Sequence, residues 1–294
     1  MQSVPNFSPL RYPGGKNRIS GFIKVAIQNL NVKNCTYIEP FAGGASVALS
    51  LLLDGTVDNI VINDYDKAIY SFWRAIKQEP DRLIKRIENT PITIEEWKKQ
   101  KAIYSTSTSY SLDLAFATMF LNRTNRSGIL TAGPIGGYSQ DGDWKLDVRF
   151  NRESLVAKIK DISRHRHNIF VYNKDIISLL RNYIPRFGKD IFIYFDPPYY
   201  NKGQKLYKNF FTPSDHQRIR NVITQEITTP WIITYDDVKA ICDLYSAYDI
   251  RKFDLTYSAA NKGTATELMI FSNNQFSPTE EQMTEQGIHI NFRM

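Results

Sequence analysis

The chain has 294 residues, 42% of them hydrophobic, which suits one large α/β domain or a domain carrying an insertion. Its 37 Lys and Arg against 30 Asp and Glu leave a net charge of +7 and favour a polyanionic partner. Two distant cysteines, Cys35 and Cys242, and four histidines without ligand spacing argue against a disulfide framework and a metal site, and no apolar run approaches a membrane span. With no export signal at Met1 to Leu10, the expectation is a cytoplasmic monomer that works without metal.

In chain order, Arg11-Tyr12-Pro13-Gly14-Gly15-Lys16 comes first, two glycines that let backbone amides and an ammonium converge on a small anion. Taken alone it is an ordinary turn, and it lacks the hydroxyl residue of a nucleotide triphosphatase loop. A helix is expected over Ile19 to Leu30. Tyr37 to Ser46 then reads as a short strand and a glycine turn leading into a helix carried by Val47 to Leu53, with Gly43 and Gly44 permitting close approach of a ligand. The turn lacks a full dinucleotide fingerprint, so a cofactor without phosphates fits it better. The next apolar strand, Asn59 to Asn63, ends in Asp64, where such sheets grip ribose hydroxyls. Asp66 is the second choice, and an acid there is also a common helix cap.

About a hundred residues follow before the next apolar strand, Ile169 to Asn173, more than a crossover helix needs. They read as a charged helical run from Glu79 to Tyr104, a polar loop at Ser105 to Ser109 and an apolar helix from Leu112 to Leu121. From Thr124 to Trp144 turn formers dominate, which predicts a loop or hairpin. Arg123, Asn125, Arg126 and Gln140 carry the fork and amide groups that pair with guanine and adenine edges. The excess of positive charge gathers between Lys145 and Lys189 and between Tyr200 and Arg220, on both sides of one strand.

That strand, Ile191 to Phe195, is continuously apolar, as in a parallel sheet covered on both faces, and it runs into Asp196-Pro197-Pro198-Tyr199. Each proline fixes its own φ and restricts the residue before it, so the Asp196 carboxylate and the neighbouring carbonyls become fixed acceptors beside an aromatic ring. Such a tetrapeptide suits a planar group bearing an amine. Pro230 to Asp237 and Glu267 to Phe271 read as further strands of the sheet.

Together Arg11 to Lys16, Glu39 to Gly44, Asn63-Asp64, Phe120 to Thr124 with Ser127-Gly128, Asp196 to Tyr199 and Thr266 to Phe271 resemble, in order and spacing, the Dam-type DNA adenine amino-methyltransferases. The resemblance covers roughly Pro9 to Asn273. It implies a Rossmann-like methyltransferase sheet with an inserted, mainly helical target-recognition domain: residues 1–70 and 151–294 for the catalytic domain, 71–150 for the insert. It also implies S-adenosylmethionine as methyl donor and double-stranded DNA as partner. Carried over by position, Tyr12 and Lys16 lie at the methionine end of the cofactor, Glu39, Phe41 and Gly43 along its middle, Asp64 at the ribose, and Asp175 and Ile176 at its adenine. The resemblance makes Asp196, Pro197, Pro198 and Tyr199 the catalytic motif, with Asp196 also touching the cofactor, while the positive charge after the motif makes Lys202 and Lys205 the expected contacts to DNA phosphates.

The expected reaction extrudes an adenine, stacks it on Tyr199 and activates its amine through Asp196 and the Pro197 carbonyl. A cytosine amine is the nearest alternative, although those enzymes usually carry Ser in place of the acid. A silent DNA-binding homologue and an RNA or protein methyltransferase are the others. The Asn125-Arg126-Ser127-Gly128 stretch departs from the Dam pattern, which usually has an aromatic before the glycine, so the recognised sequence need not be GATC.

Overall fold

The protein is described from a computed structural model that covers residues 7–11, 19–201, 211–257 and 263–293. Eight strands form one sheet: β1 (Thr36–Glu39), β2 (Asn59–Asn63), β3 (Ile169–Tyr172), β4 (Ile191–Phe195), β5 (Trp231–Asp236), β6 (Asp249–Tyr257), β7 (Gly263–Phe271) and β8 (Phe292–Arg293). Their order is β3-β2-β1-β4-β5-β7-β6-β8. The first five are mutually parallel, β7 lies antiparallel to β5 and β6, and β8 antiparallel to β6.

Every residue of β1, β4 and β5 is buried, and the unbroken apolar run of β4 follows from this coverage on both faces. Successive residues point to opposite faces. Tyr37, Phe192 and Ile232 join a core with helices α1 (Ser20–Asn29), α2 (Ser46–Leu53) and α3 (Lys67–Gln78). Ile38, Ile193 and Ile233 join a second core with α8 (Ile176–Asn182), α9 (Pro213–Glu226) and α10 (Lys239–Leu244). A short helix, α11 (Glu280–Glu285), adds Met283 to the first.

Between β2 and β3 the chain builds α4 (Pro80–Asn89), α5 (Ile94–Thr106), α6 (Leu112–Thr124) and α7 (Arg152–Arg164). Thr93, Ser111 and Asn151 cap α5, α6 and α7 by accepting first-turn amides. The helical segment has no core of its own: Phe72 and Trp73 of α3, Leu83 and Ile87 of α4, Trp97 of α5, Phe116 and Phe120 of α6 and Ile159 of α7 belong to one cluster with the sheet. Arg152 closes the segment by donating to the carbonyls of Ile87 and, at 2.6 Å, Thr90. Positions 70 and 151, the expected insert boundaries, therefore lie within continuous packing.

Among the described residues no helix is long and apolar enough to cross a membrane, and no three His, Cys, Asp or Glu side chains gather as metal ligands would. Cys35 is buried and Cys242 half-buried, both as free thiols.

Candidate active site

The carboxyl ends of β1, β2, β3, β4 and β5 share one edge of the sheet. Asn63 ties three of them together. Its amide nitrogen donates to the carbonyls of Pro40 (2.9 Å) and Lys174 (3.2 Å), and its oxygen accepts from the Lys174 amide at 2.8 Å. Asn173 fastens the same edge by donating to the carbonyls of Asp64 and Tyr65.

After β1 the chain turns through Gly43 (φ 45°) and Ala45 (φ 47°), both in the left-handed region. For Ala45 that conformation costs about 1–2 kcal/mol, and strain of this kind gathers at ligand-binding turns. Helix α2 has no capping side chain at its own start. Glu39 serves instead: its Oε1 accepts from the Ala48 amide at 3.1 Å and from the Tyr37 hydroxyl at 2.9 Å. Burial pushes the Glu39 carboxyl up to about 8 against those two bonds, and Asp196 pushes it the same way. The ends of β1 and β4 thus lie within electrostatic reach of one another.

Asp64 is half-buried and holds the glycine turn, accepting from the Gly43 amide at 2.9 Å and the Asp66 amide at 2.8 Å. Burial raises it to about 7. An ionised carboxylate offers about four acceptor positions, so two stay available to a ligand. Asp66 is the helix cap of α3, accepting from Ala68 at 2.8 Å. Asp175 is exposed and caps α8 through the amides of Ile177 and Ser178, which leaves the first-turn amide of Ile176 outside the cap. Phe41 lies edge-on to Phe211, with ring centroids 5.8 Å apart. Tyr12 and Lys16 fall outside the described residues.

Asp196 follows the last residue of β4. The Thr234 hydroxyl donates to its Oδ1 at 2.8 Å, and the Tyr194 hydroxyl lies 2.7 Å from the same Thr234 oxygen. Because Thr234 gives its single proton to Asp196, Tyr194 is the donor to Thr234, and both bonds point toward the carboxylate. Such a relay polarises in the sense that favours ionised Asp196. Burial and the Asp196 charge hold the Tyr194 phenol well above its ordinary range, so it stays a donor.

Tyr199 is 8% exposed and donates to Glu267 Oε1 at 2.6 Å. Glu267 is fully buried and stands opposite Asp236 in the β5–β7 register. Asp236 accepts from the amides of Tyr200 (2.8 Å) and Asn201 (2.9 Å), clasping the chain where it leaves the motif. The sequence gives Thr234 and Glu267 no role and sets Asp236 equally at the border of a target pocket or in the core. Their partners lie 38, 68 and about 36 positions away, so local sequence holds no signal for them.

The expected base readers separate sharply. Asn125 is fully buried: its oxygen accepts from Trp97 Nε1 at 2.7 Å and its nitrogen donates to the carbonyls of Ile129 and Leu130. Gln140 braces its own loop, donating to the carbonyls of Ile135 and Gly137 and accepting from the Leu146 amide. Arg123 donates to the Pro9 carbonyl through Nε at 2.7 Å and through a second nitrogen, and burial lowers it to about 10. In this arrangement Asn125 and Gln140 shape the loop and have no free edge for a base, which corrects the expectation for both. Arg123 is likewise turned from base reading to anchoring the chain at Pro9. Arg126 alone of the four is exposed. Lys202 and Lys205 fall outside the described residues.

The family model of the D12 class N6 adenine-specific DNA methyltransferases matches residues 12–259. The Type II methyltransferase M.MjaIII of Methanocaldococcus jannaschii is 24% identical over 206 residues, 65% of this chain and 68% of that protein. Two structures of the rRNA methyltransferase aviRa from Streptomyces viridochromogenes cover 90% of the chain at TM-scores of 0.42 and 0.41, with 10% and 9% identity, a likeness too distant to build on. With its sheet edge carrying Asp196-Pro197-Pro198-Tyr199 beside the glycine turn and Asp64, the chain belongs to the D12 class N6 adenine-specific DNA methyltransferase family.

Proposed function

We propose that this DNA adenine methyltransferase works on a base extruded from the duplex, with Asp196 and the Pro197 carbonyl accepting the two hydrogens of the adenine amine. The lone pair of that amine is delocalised into the ring, and two fixed acceptors draw it back onto nitrogen. The observation that carries this reading is the Tyr194–Thr234–Asp196 relay, which holds the carboxylate in one orientation at the end of β4. The nitrogen gains a methyl group and then gives up a proton, which Asp196 is placed to take.

S-adenosylmethionine supplies the methyl group on a sulfonium centre. The residues suit it: a strained glycine turn without a pyrophosphate cradle, Asp64 with acceptor positions for ribose hydroxyls, and the Ile176 amide for the adenine edge. Glu39 supports this site indirectly, by capping α2 and fixing the turn. Extrusion costs a few kcal/mol, and stacking on an aromatic ring returns ~1–3 kcal/mol. Tyr199 is the ring assigned to that role, its orientation fixed by Glu267. The braced loop from Arg126 to Trp144 is the recognition element, with Arg126 reading a base and Lys202 and Lys205 contacting phosphates. The test is Asp196→Ala, expected to abolish methyl transfer while cofactor affinity stays within a few-fold; near-normal turnover would overturn the mechanism.

A further inference from the structure

Three basic residues, Arg11, Arg123 and Lys158, meet where the N-terminal segment passes the end of α6, and the exposed Arg149 lies within electrostatic reach of Arg11 and Arg123. Arg123 donates to the Pro9 carbonyl, Lys158 of α7 donates to the Ser8 carbonyl at 3.2 Å, and Arg11 follows two residues later. Arg11 is pinned through its backbone: its amide donates to Asn122 Oδ1 and its carbonyl accepts from Asn122 Nδ2, both at 2.7 Å. Asn122 also donates to the Gly128 carbonyl at 2.9 Å, and Gly128 sits at φ +75°, where a Cβ would lie 2.8 Å from the Arg11 carbonyl oxygen. The close fit places Arg11 at the root of the loop that follows α6.

No acid balances this cluster. Among the described residues no Asp or Glu forms an ion pair with Arg11, Arg123, Arg149 or Lys158. The residues outside the description contain no Asp or Glu at all. The cations press on one another: burial and then Arg149 lower Arg11; burial and then Arg11 and Arg149 lower Arg123; burial and then Arg123 lower Lys158. One guanidinium nitrogen of Arg11 is buried without a hydrogen-bond partner. A buried, unpartnered donor among uncompensated cations is an unfavourable arrangement unless an anion completes it.

We infer that Arg11, Arg123, Arg149 and Lys158 form a binding site for one phosphodiester group of the DNA backbone, at the root of the recognition loop. The inference rests on the chain being a DNA methyltransferase. Guanidinium forks suit phosphate oxygens, and a phosphate here would fix the register of the loop without itself reading sequence. The neighbouring Tyr12 to Lys16 motif makes the carboxylate of the cofactor the competing anion.

Arg149 is exposed, so Arg149→Gln tests the site with little risk to folding, and Lys158→Met is the second variant. Duplex affinity is measured against salt concentration for wild type and both variants, then on duplexes bearing a single neutral methylphosphonate at each position in turn. The expected result is a roughly tenfold loss of duplex affinity for each variant, a salt slope shallower by about 0.9, and unchanged base preference. One methylphosphonate position should weaken wild type and have no further effect on Arg149→Gln. An unchanged slope and affinity in both variants would overturn the site. So would a loss seen instead in cofactor titrations without DNA, which would assign the anion to the cofactor and leave the methyltransferase reading intact.

Discussion

Asp64 carries two duties on one carboxylate, since it holds the glycine turn through Gly43 and, in the proposed site, the ribose hydroxyls. Only the ionised form has acceptors for both. With its carboxyl raised to about 7 by burial, cofactor affinity should strengthen as pH rises through that value, and Asp64→Asn should flatten the dependence in calorimetric titrations. Asp64→Ala should weaken the cofactor by ~1.5–3 kcal/mol. Stability runs the other way. Between the ordinary range of an unfolded carboxyl, near ~4, and about 7, the folded protein keeps a proton that the unfolded chain has lost, so this group's contribution to stability falls as pH rises across that window. Glu39, raised to about 8, adds to the decline in the same direction, and Glu39→Gln should reduce the slope in denaturant titrations. Thr234 has a sharper role. Thr234→Val removes the donor to Asp196 and leaves the buried Tyr194 hydroxyl without its acceptor, so we expect ~1–3 kcal/mol of lost stability. Turnover should fall with little change in cofactor affinity. Turnover equal to wild type would show that Asp196 does not depend on the relay.

At the level of elements, the strands that bear the motifs were legible because each is a continuous apolar run ending in an acid, a pattern set by burial on both faces. The strand β6 (Asp249–Tyr257) and the helix α7 were not read, because both mix charges with apolar residues: β6 lies near the sheet edge and α7 exposes one side. The inner workings of the loop proposed for recognition were illegible for another reason. Asn125 and Gln140 have the same amide groups whether they read a base or brace a turn, and only the fold shows the carbonyls that occupy them. The loop's attachment can be tested at Gly128. Gly128→Ala places a Cβ against the Arg11 carbonyl at a positive φ and should cost ~1–3 kcal/mol in stability by denaturant titration. A neutral substitution would mean that Arg11 and the loop root are not locked together. The antiparallel pair β5–β7 matters in the same way, since its register sets Asp236 and Glu267 side by side behind the motif. Tyr199→Phe breaks the bond to Glu267 from the other end and should lower kcat more than it changes cofactor affinity.

For the whole molecule, the sheet and the helical segment between β2 and β3 share one core among the described residues. Arg11 precedes the Tyr12 to Lys16 motif in sequence and packs against Asn122 and Gly128 in space, and in the proposed site this shortens the path between reading DNA and placing the methyl donor. Sequence specificity should rest on few exposed groups. Arg126→Ala should relax preference at one base pair, worth ~1–3 kcal/mol of discrimination, when methylation is compared on single-base variants of the recognised site. The central claim is that Asp196 directs methyl transfer to the adenine amine. Its most direct test incubates the protein with duplex DNA and methyl-labelled S-adenosylmethionine, digests the DNA to nucleosides and identifies the labelled product. The account predicts label in N6-methyladenine alone with the wild-type protein, and none with Asp196→Ala although that variant still binds the cofactor. Label in a methylated cytosine, or undiminished adenine methylation by Asp196→Ala, would contradict it.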